Sequence, residues 1–334
     1  MQEICCDEKV VVFKEKFLGL RLPKIIYICS SSRCGSTVTD MFLGGHPQIA
    51  SLGEVNFLGK AVKLKELCSC GAAVSECQAW RKIYKEIQTE TGIYIPDTPY
   101  AYKLWDARSR VIIDHEYQNK LFYAKFYYRR AWMGARAYLP APLGRLAPMP
   151  PAYHSAIRNK MRLFRIISQA WGKRVVVDSS KNPWEAVELA NRFPEQVKVL
   201  LVTRDGRGVY LSRRTSGFDR EASVLEWAKY YRNAAPMLRE KINPANIMQL
   251  RYEDFASDPE NMGRKLCSFV GMDYDPVMLD FSNGERHMAN GNDTRFNSNK
   301  GIRLDERWRR ELVGEELAYF ESRGGSVNHM LGYV

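Results

Sequence analysis

Lys24–Gly45, KIIYICSSSRCGSTVTDMFLGG, is the stretch on which the reading of this chain turns. Ile25 to Cys29 is short, apolar and β-branched, the pattern of a strand buried on both faces. It breaks into Ser30-Ser31-Ser32-Arg33-Cys34-Gly35-Ser36-Thr37, small and polar with one cation. An apolar-periodic run through Val38, Met41 and Phe42 then predicts a helix closed by Gly44-Gly45. Strand, small-residue loop and helix N-terminus together make an anion site, because free backbone N–H groups and the positive end of the helix dipole meet at one spot. Gly35 lets the backbone approach the anion, Ser36 and Thr37 add hydroxyl donors, and Arg33 adds a permanent planar cation.

The loop does not match the nucleotide P-loop, GxxxxGK[ST]. It has no first glycine and no Lys before the Ser/Thr pair, and its cation precedes Gly35 by two residues. It therefore points to phosphate or sulfate and counts against a standard ATPase. On the loop alone, an ordinary βα turn rich in small residues stays open.

The 334 residues suffice for one large or two ordinary domains, and a 45% hydrophobic fraction supports a proper core. No run approaches the ~18 apolar residues of a membrane span. Glu3, Asp7 and Glu8 precede a very short apolar patch, which does not read as a signal peptide. The eight cysteines are accordingly expected to be mostly reduced thiols and the chain to be cytoplasmic. The net charge of +12 is local: Tyr117 to Val177 holds twelve Lys or Arg and no Asp or Glu in 61 residues. The excess is thus a surface feature of one segment.

Taken in order, residues 1 to 23 read as a lead-in with an edge strand at Val10 to Phe13. After the loop and its helix, His46 to Glu54 gives a turn, a short extended piece, and a carboxylate beside Gly53 at the start of another helix. Glu54 follows Arg33 by 21 residues and returns to the mouth of the anion site if the next element packs beside the first strand; otherwise it is a first-turn helix acid. Cys68-Ser69-Cys70-Gly71 and Cys77 suggest zinc, but CxC is poor spacing and no His is nearby in sequence, so a reduced thiol loop is the stronger reading and no metal is assigned. Tyr117 to Tyr138 predicts a helix with Lys125, Arg129, Trp132 and Arg136 on one face, suited either to a solvated basic side or to an anionic membrane surface. No stacking motif supports a nucleic-acid partner. A proline-rich loop, Leu139 to Pro151, leads to a helix from about Ser155 to Trp171.

Arg174 to Asp178 is a second buried strand, followed by Ser179-Ser180-Lys181-Asn182-Pro183, with Asn182 as N-cap and Pro183 as first helical residue. Val197 to Thr203 is a third strand running into Arg204-Asp205-Gly206-Arg207 and a helix that carries Ser212. Ile247 to Arg251 is a fourth, followed by Tyr252-Glu253-Asp254. Residues 283 to 302 form a long polar loop, and Leu304 to about Phe320 a closing charged helix. The recurrence of strand, charged turn and helix predicts an α/β fold: a P-loop-like, three-layer arrangement with a mostly parallel central sheet, helices on both faces and a helical basic insertion. Functional loops are expected at the carboxyl ends of the strands.

These loops resemble those of sulfotransferases that use 3'-phosphoadenosine-5'-phosphosulfate (PAPS). Ser32 to Thr37 is similar to the 5'-phosphosulfate loop in its Arg-containing carbohydrate and tyrosylprotein versions. Val202 to Arg207 with Ser212 is similar to the 3'-phosphate motif, an Arg and a Ser eight residues apart after a strand. Asp178 to Pro183 resembles the Lys-x-Pro segment of tyrosylprotein and bacterial members, and Arg251 to Asp254 and Asn299-Lys300-Gly301 fall in the usual order. The resemblance runs from about residue 24 to 310. It implies one sulfotransferase-like domain over 1–334, with 96–155 as a helical, proline-rich insertion near the acceptor site. Ser32, Arg33, Cys34, Gly35, Ser36, Thr37, Val38, Arg204, Ser212, Asn299, Lys300 and Gly301 are then expected to bind PAPS, without a metal. Glu54 is expected as general base, with Arg33 and Lys181 serving the bridging oxygen and the sulfonate.

The implied acceptor is a hydroxyl of a carbohydrate or glycolipid, with tyrosylprotein, small-molecule or sterol acceptors as alternatives and an anionic membrane as a possible peripheral site. Cytosolic members carry Lys where Arg33 stands and a histidine base, for which His115 is the single faint candidate here. A P-loop kinase and a non-catalytic nucleotide- or membrane-binding protein are the rival classes.

Overall fold

The computed structural model describes residues 22–105, 120–139, 143–144, 149–281, 286–296 and 301–334. The expected edge strand at Val10 to Phe13, His115, Asn299 and Lys300 lie outside them. Five strands form the sheet: β1 (Lys24–Cys29), β2 (Ile49–Ser51), β3 (Val175–Asp178), β4 (Val197–Thr203) and β5 (Ile247–Arg251). Their order is β2-β3-β1-β4-β5 and every pairing is parallel. β1 is thus central: Ile25 is in register with Val176 of β3 on one side and Val197 of β4 on the other. Parallel strands put their carboxyl ends on one edge, so the loops after β1, β3 and β4 emerge side by side, where the chain switches from one side of β1 to the other.

The β-branched strands are buried on both faces. Ile25, Tyr27 and Cys29 point into one apolar core, and Ile26 and Ile28 into the other. The second core is covered by α1 (Ser36–Gly44), through Met41, Phe42 and Leu43. Beyond β2 come α2 (Leu58–Lys63) and α3 (Gln78–Thr91). Then follow α4 (Lys120–Tyr138), α5 (Pro151–Trp171), α6 (Pro183–Arg192), α7 (Gly206–Arg214) and α8 (Arg220–Lys241). α9 (Tyr252–Ser257), α10 (Pro259–Val270), α11 (Trp308–Glu311) and α12 (Gly314–Met330) complete the set among the described residues, α10 packing on the α1 side.

Three expectations are corrected. α5 begins at Pro151, four residues early, because a proline fits the first helical position, where its missing N–H removes no bond. The closing helix is two: α11 stops at Glu311, and α12 runs on to Met330 through Gly324-Gly325, which reads as a break. A Cβ on Gly324 would sit 2.9 Å from Val224 Cγ2, so this glycine allows α12 to approach α8 closely. The third concerns α4. Arg129, Trp132 and Arg136 are half-buried and Met133 and Ala137 buried, so the face expected to be solvated packs inward. Arg136 Nε donates to Glu188 Oε1 at 2.5 Å, and Trp184 Nε1 donates to Tyr138 Oη at 3.3 Å, fastening α4 to α6. The exposed side carries Tyr127, Tyr128 and Arg130 instead. Among the described residues no helix is long and apolar enough to cross a membrane.

Candidate functional site

A cavity of about 560 Å³ opens over the carboxyl ends of β1, β3 and β4. Ser32, Arg33, Gly35, Ser36, Thr37, Val38, Glu54, Lys181, Arg204, Ser212 and Gly301 all line it. These come from separate stretches of sequence, and the parallel topology brings them together. Cys34 is the exception in the loop: its side chain lies in the core, where burial pushes the thiol up to about 11, and it does not line the cavity.

The loop after β1 is built to leave amides free. Gly35 caps α1 with φ 92°, no side chain caps the helix, and no acid lies in its first turn. A Cβ on Gly35 would stand 2.9 Å from the Tyr252 ring, so only glycine lets the backbone pass. Arg33 (φ 66°) and Lys181 (φ 62°) both occupy the left-handed region, which costs a non-glycine residue about 1–3 kcal/mol. The surroundings hold both in place. Arg204 Nη1 donates to the Arg33 carbonyl at 3.3 Å. The Lys181 amide donates to Ile28 O at 3.2 Å, and Tyr230 Oη donates to Lys181 O at 3.1 Å. Arg33 and Lys181, at two adjacent strand ends, thus line one cavity.

Lys181 Nζ meets Glu54 Oε1 at 2.6 Å, with both side chains largely buried. Glu54 is brought there by Gly53, whose φ of 72° and contact with the 290 region leave no room for a side chain: a Cβ would lie 1.9 Å from Asn290 O. The Glu54 amide donates to that same carbonyl at 3.2 Å. On the β4 side, Arg204 Nη2 pairs with Asp305 Oδ2 at 2.9 Å, and its guanidinium stacks 4.6 Å from the Tyr252 ring centre. The Arg307 and Arg204 guanidinium groups hold the Asp305 carboxyl well below the usual range.

Beneath the cavity lie two buried polar clusters that sequence reading did not single out. Asp40, in the middle of α1, accepts from Ser51 Oγ (2.6 Å), Ser179 Oγ (2.7 Å) and the Gly53 amide (3.1 Å). It thereby ties the loops after β2 and β3 to the helix that follows the anion loop. Burial pushes its carboxyl up to about 7. Lys160 Nζ, fully buried, bridges Asp178 Oδ2 (2.7 Å) and Glu185 Oε1 (2.8 Å). Glu185 Oε2 accepts from Tyr27 Oη and Asn56 Nδ2, each at 2.7 Å, and Asp178 Oδ1 accepts from the Ser180 amide at 2.9 Å. The backbone on both sides of Lys181 is therefore pinned from below, while Asn182 caps α6 by accepting from the Trp184 and Glu185 amides. A charged residue inside an apolar helical run was the available signal for Asp40; Lys160 stands among Arg158, Asn159 and Arg162 and carried none.

The far wall is made by Asn290, Asn292 and Thr294, and Phe218, Tyr252, Phe281 and Arg303 also line the cavity. Of these, the sequence marked Tyr252, within Arg251 to Asp254, and the 283–302 stretch, as a loop with a job. The arrangement as a whole offers amides, hydroxyls and cations to an elongated polyanion, and a carboxylate beside the cationic end.

The sulfotransferase family model matches residues 23–276. Among solved structures, the chain is similar to the sulfotransferase domain of the Synechococcus PCC 7002 olefin synthase, with a TM-score of 0.53 and 18% identity over 95% of this chain and 97% of that one. It is also similar to the sulfotransferase domain from the curacin biosynthetic pathway (TM-score 0.45, 19% identity, 94% and 99% covered). A sulfotransferase of Mycobacterium tuberculosis follows (TM-score 0.43, 12% identity, 82% and 74% covered). At these identities the likeness speaks for the fold, and only the first score is high enough to carry it. No curated protein matches the chain. With the family model running over more than half of its length, the chain belongs to the sulfotransferase family.

Proposed function

We propose that this sulfotransferase moves the sulfuryl group of PAPS to an acceptor hydroxyl, of a carbohydrate or glycolipid by preference, with Glu54 as the general base. The observation that carries the reading is the convergence on one cavity of both phosphate motifs, Ser32 to Val38 without Cys34 and Arg204 with Ser212, and of the Glu54–Lys181 pair at 2.6 Å. The first-turn amides of α1, with Ser36 and Thr37, suit the 5'-phosphosulfate. Arg204 and Ser212 suit the 3'-phosphate, the group that separates PAPS from ATP, and Gly301 lines the same cavity.

In the reaction the acceptor oxygen forms its bond to sulfur as the bond from sulfur to the bridging oxygen breaks. The electron pair stays on the nucleotide 5'-phosphate, and the acceptor proton passes to Glu54. Charge grows on the bridging oxygen, where Arg33 acts, while Lys181 neutralises the sulfonate between nucleotide and acceptor. Catalysis is then positioning and charge stabilisation, which the left-handed, pinned backbones of Arg33 and Lys181 favour by leaving little to reorganise. The basic segment, with Tyr127, Tyr128 and Arg130 on its outer side, favours an acceptor at an anionic surface.

The test is donor specificity followed by transfer. Adenosine 3',5'-bisphosphate should raise the Tm far more than ADP or 5'-AMP. Radiolabelled PAPS should then label a lipid or glycan fraction. Equal stabilisation by ATP would move the reading to the kinase class, and donor binding without turnover to a non-catalytic one.

A further inference from the structure

The thiol loop that lacked a fourth ligand in sequence acquires one in the fold. Cys68, Cys70, Cys77 and His287 bring their ligand atoms within 4.8 Å of one another, although His287 lies more than two hundred residues away in the chain. Cys70 Sγ is 3.6 Å from Cys77 Sγ, and His287 Nδ1 is 3.4 Å from Cys77 Sγ and 3.9 Å from Cys68 Sγ. Tetrahedral zinc with thiolates at 2.3 Å and imidazole nitrogen near 2.0 Å requires sulfur–sulfur edges of about 3.8 Å and sulfur–nitrogen edges of about 3.6 Å. From this match we infer that the chain carries a structural zinc ion held by Cys68, Cys70, Cys77 and His287.

The local fold explains how the CxC spacing serves. Leu67 and Ala73 form an antiparallel bridge, the Cys68 amide donates to Ala72 O at 2.8 Å, and Gly71 turns the chain at φ 90°. This knuckle directs Cys68 inward and leaves Cys70 exposed at its tip, while Cys77 arrives at the start of α3. The partner segment is fastened independently of any ion. Ser69 Oγ donates to Arg286 O at 2.7 Å and accepts from the Met288 amide at 2.9 Å, and Trp80 Nε1 donates to His287 O at 2.8 Å. The Trp171 ring lies 5.5 Å from the imidazole. Outer contacts of this kind orient first ligands in metal sites. Three thiolates and one imidazole, with four protein ligands and one exposed sulfur, suit closed zinc coordination rather than a hydrolytic centre or a cluster. The ion takes the place of the thiol protons, with no change of oxidation state.

None of the four residues lines the cavity, but the site clamps the segment that forms its far wall. From His287 the chain runs directly into Asn290, Gly291 and Asn292, which line the cavity. Zinc therefore bears on the shape of that wall and not on the chemistry.

Full-length chain purified without chelator should hold one zinc per chain by elemental analysis. Cobalt exchanged into it should show thiolate charge-transfer and tetrahedral ligand-field bands. Because Cys68 and Cys77 are buried, the diagnostic variants are Cys70→Ser, on an exposed residue, and His287→Gln. Each should keep the far-ultraviolet circular dichroism of the parent but give up zinc to a competing chelator more readily. The affinity loss should exceed the ~10–100-fold that removal of an outer partner causes. Absence of zinc together with no Tm shift and no cobalt bands on adding either metal would overturn the assignment. So would zinc held equally tightly by both variants, or a Cys70–Cys77 disulfide in the purified chain. None of these outcomes depends on which donor or acceptor the cavity takes.

Discussion

The two walls of the cavity are made in opposite ways. The wall of Ser32 to Thr37, Lys181, Arg204 and Ser212 consists of short segments, each a loop directly after its own strand or the helix start that follows it, and each spans fewer than ten residues. The wall of Asn290, Asn292 and Thr294 has, among the described residues, no strand leading into it. It is held by side chains and backbone from elsewhere: Gly53 against Asn290, Leu67 O accepting from Arg295 Nη2 at 3.3 Å, and the Cys/His cluster behind it. A parallel sheet presets the first wall, since adjacent strand ends are adjacent loops. The second exists only after distant contacts form. Donor chemistry is therefore expected to be robust to changes in the second wall, and acceptor selection is not.

The sharpest test of this contrast is Glu54, which touches both walls. Glu54→Gln should lower single-turnover transfer by roughly 10²–10⁴-fold, the range for loss of a general base, while bisphosphate binding stays near normal. Normal transfer would move the base elsewhere, with His115 next to be tried. Arg33→Ala and Lys181→Ala should also cut turnover, but with weaker PAPS binding, since both contact the donor in the proposed reading.

Arg204→Ala comes next in size and confines its effect to the first wall. The Tm advantage of the bisphosphate over ADP should largely disappear, because a charged hydrogen bond to phosphate is worth about 1.5–3 kcal/mol. An unchanged advantage would place the 3'-phosphate elsewhere.

Asp40 sets the boundary between the walls, and its effect should be on stability. The native chain keeps a proton on Asp40 up to about 7, whereas the unfolded chain releases it near the ordinary Asp value of about 4. A raised folded-state value contributes stability that is full below about pH 4 and is lost as pH rises through about 7. Asp40→Asn should flatten that part of the stability curve, read from Tm against pH. It should also destabilise by about 1–3 kcal/mol, because one of the donors from Ser51, Gly53 and Ser179 loses its acceptor. A parallel, merely shifted curve would show that Asp40 is ionised throughout.

The smallest effect expected is at the basic helix. Co-sedimentation with anionic vesicles should be weak and fall with salt, and Arg130→Ala should reduce it further. Binding that ignores lipid charge would leave α4 as a packing helix, which its inward contacts with Glu188 and Trp184 already serve.

Strands β1, β3, β4 and β5, the glycine turn after β1 and the Asn182–Pro183 helix start were legible in sequence because each depends on neighbours a few residues away: β-branched runs, a glycine that must turn, a cap and a fixed φ. The same holds for the turn at Arg204 and the helix that carries Ser212, directly after β4. What sequence could not decide is everything whose partner lies far along the chain. Cys34 sits among the polar loop residues but turns into the core. Arg136 reads as solvated and is spent on Glu188. Asp40 gathers three donors, from two other segments. Three thiols looked short of a ligand until the packing of residues 286–288 against the knuckle supplied His287. Local propensity acts along the backbone, whereas ion pairs, buried carboxylates and metal geometry are set by distance in space, and only the closed tertiary structure fixes that.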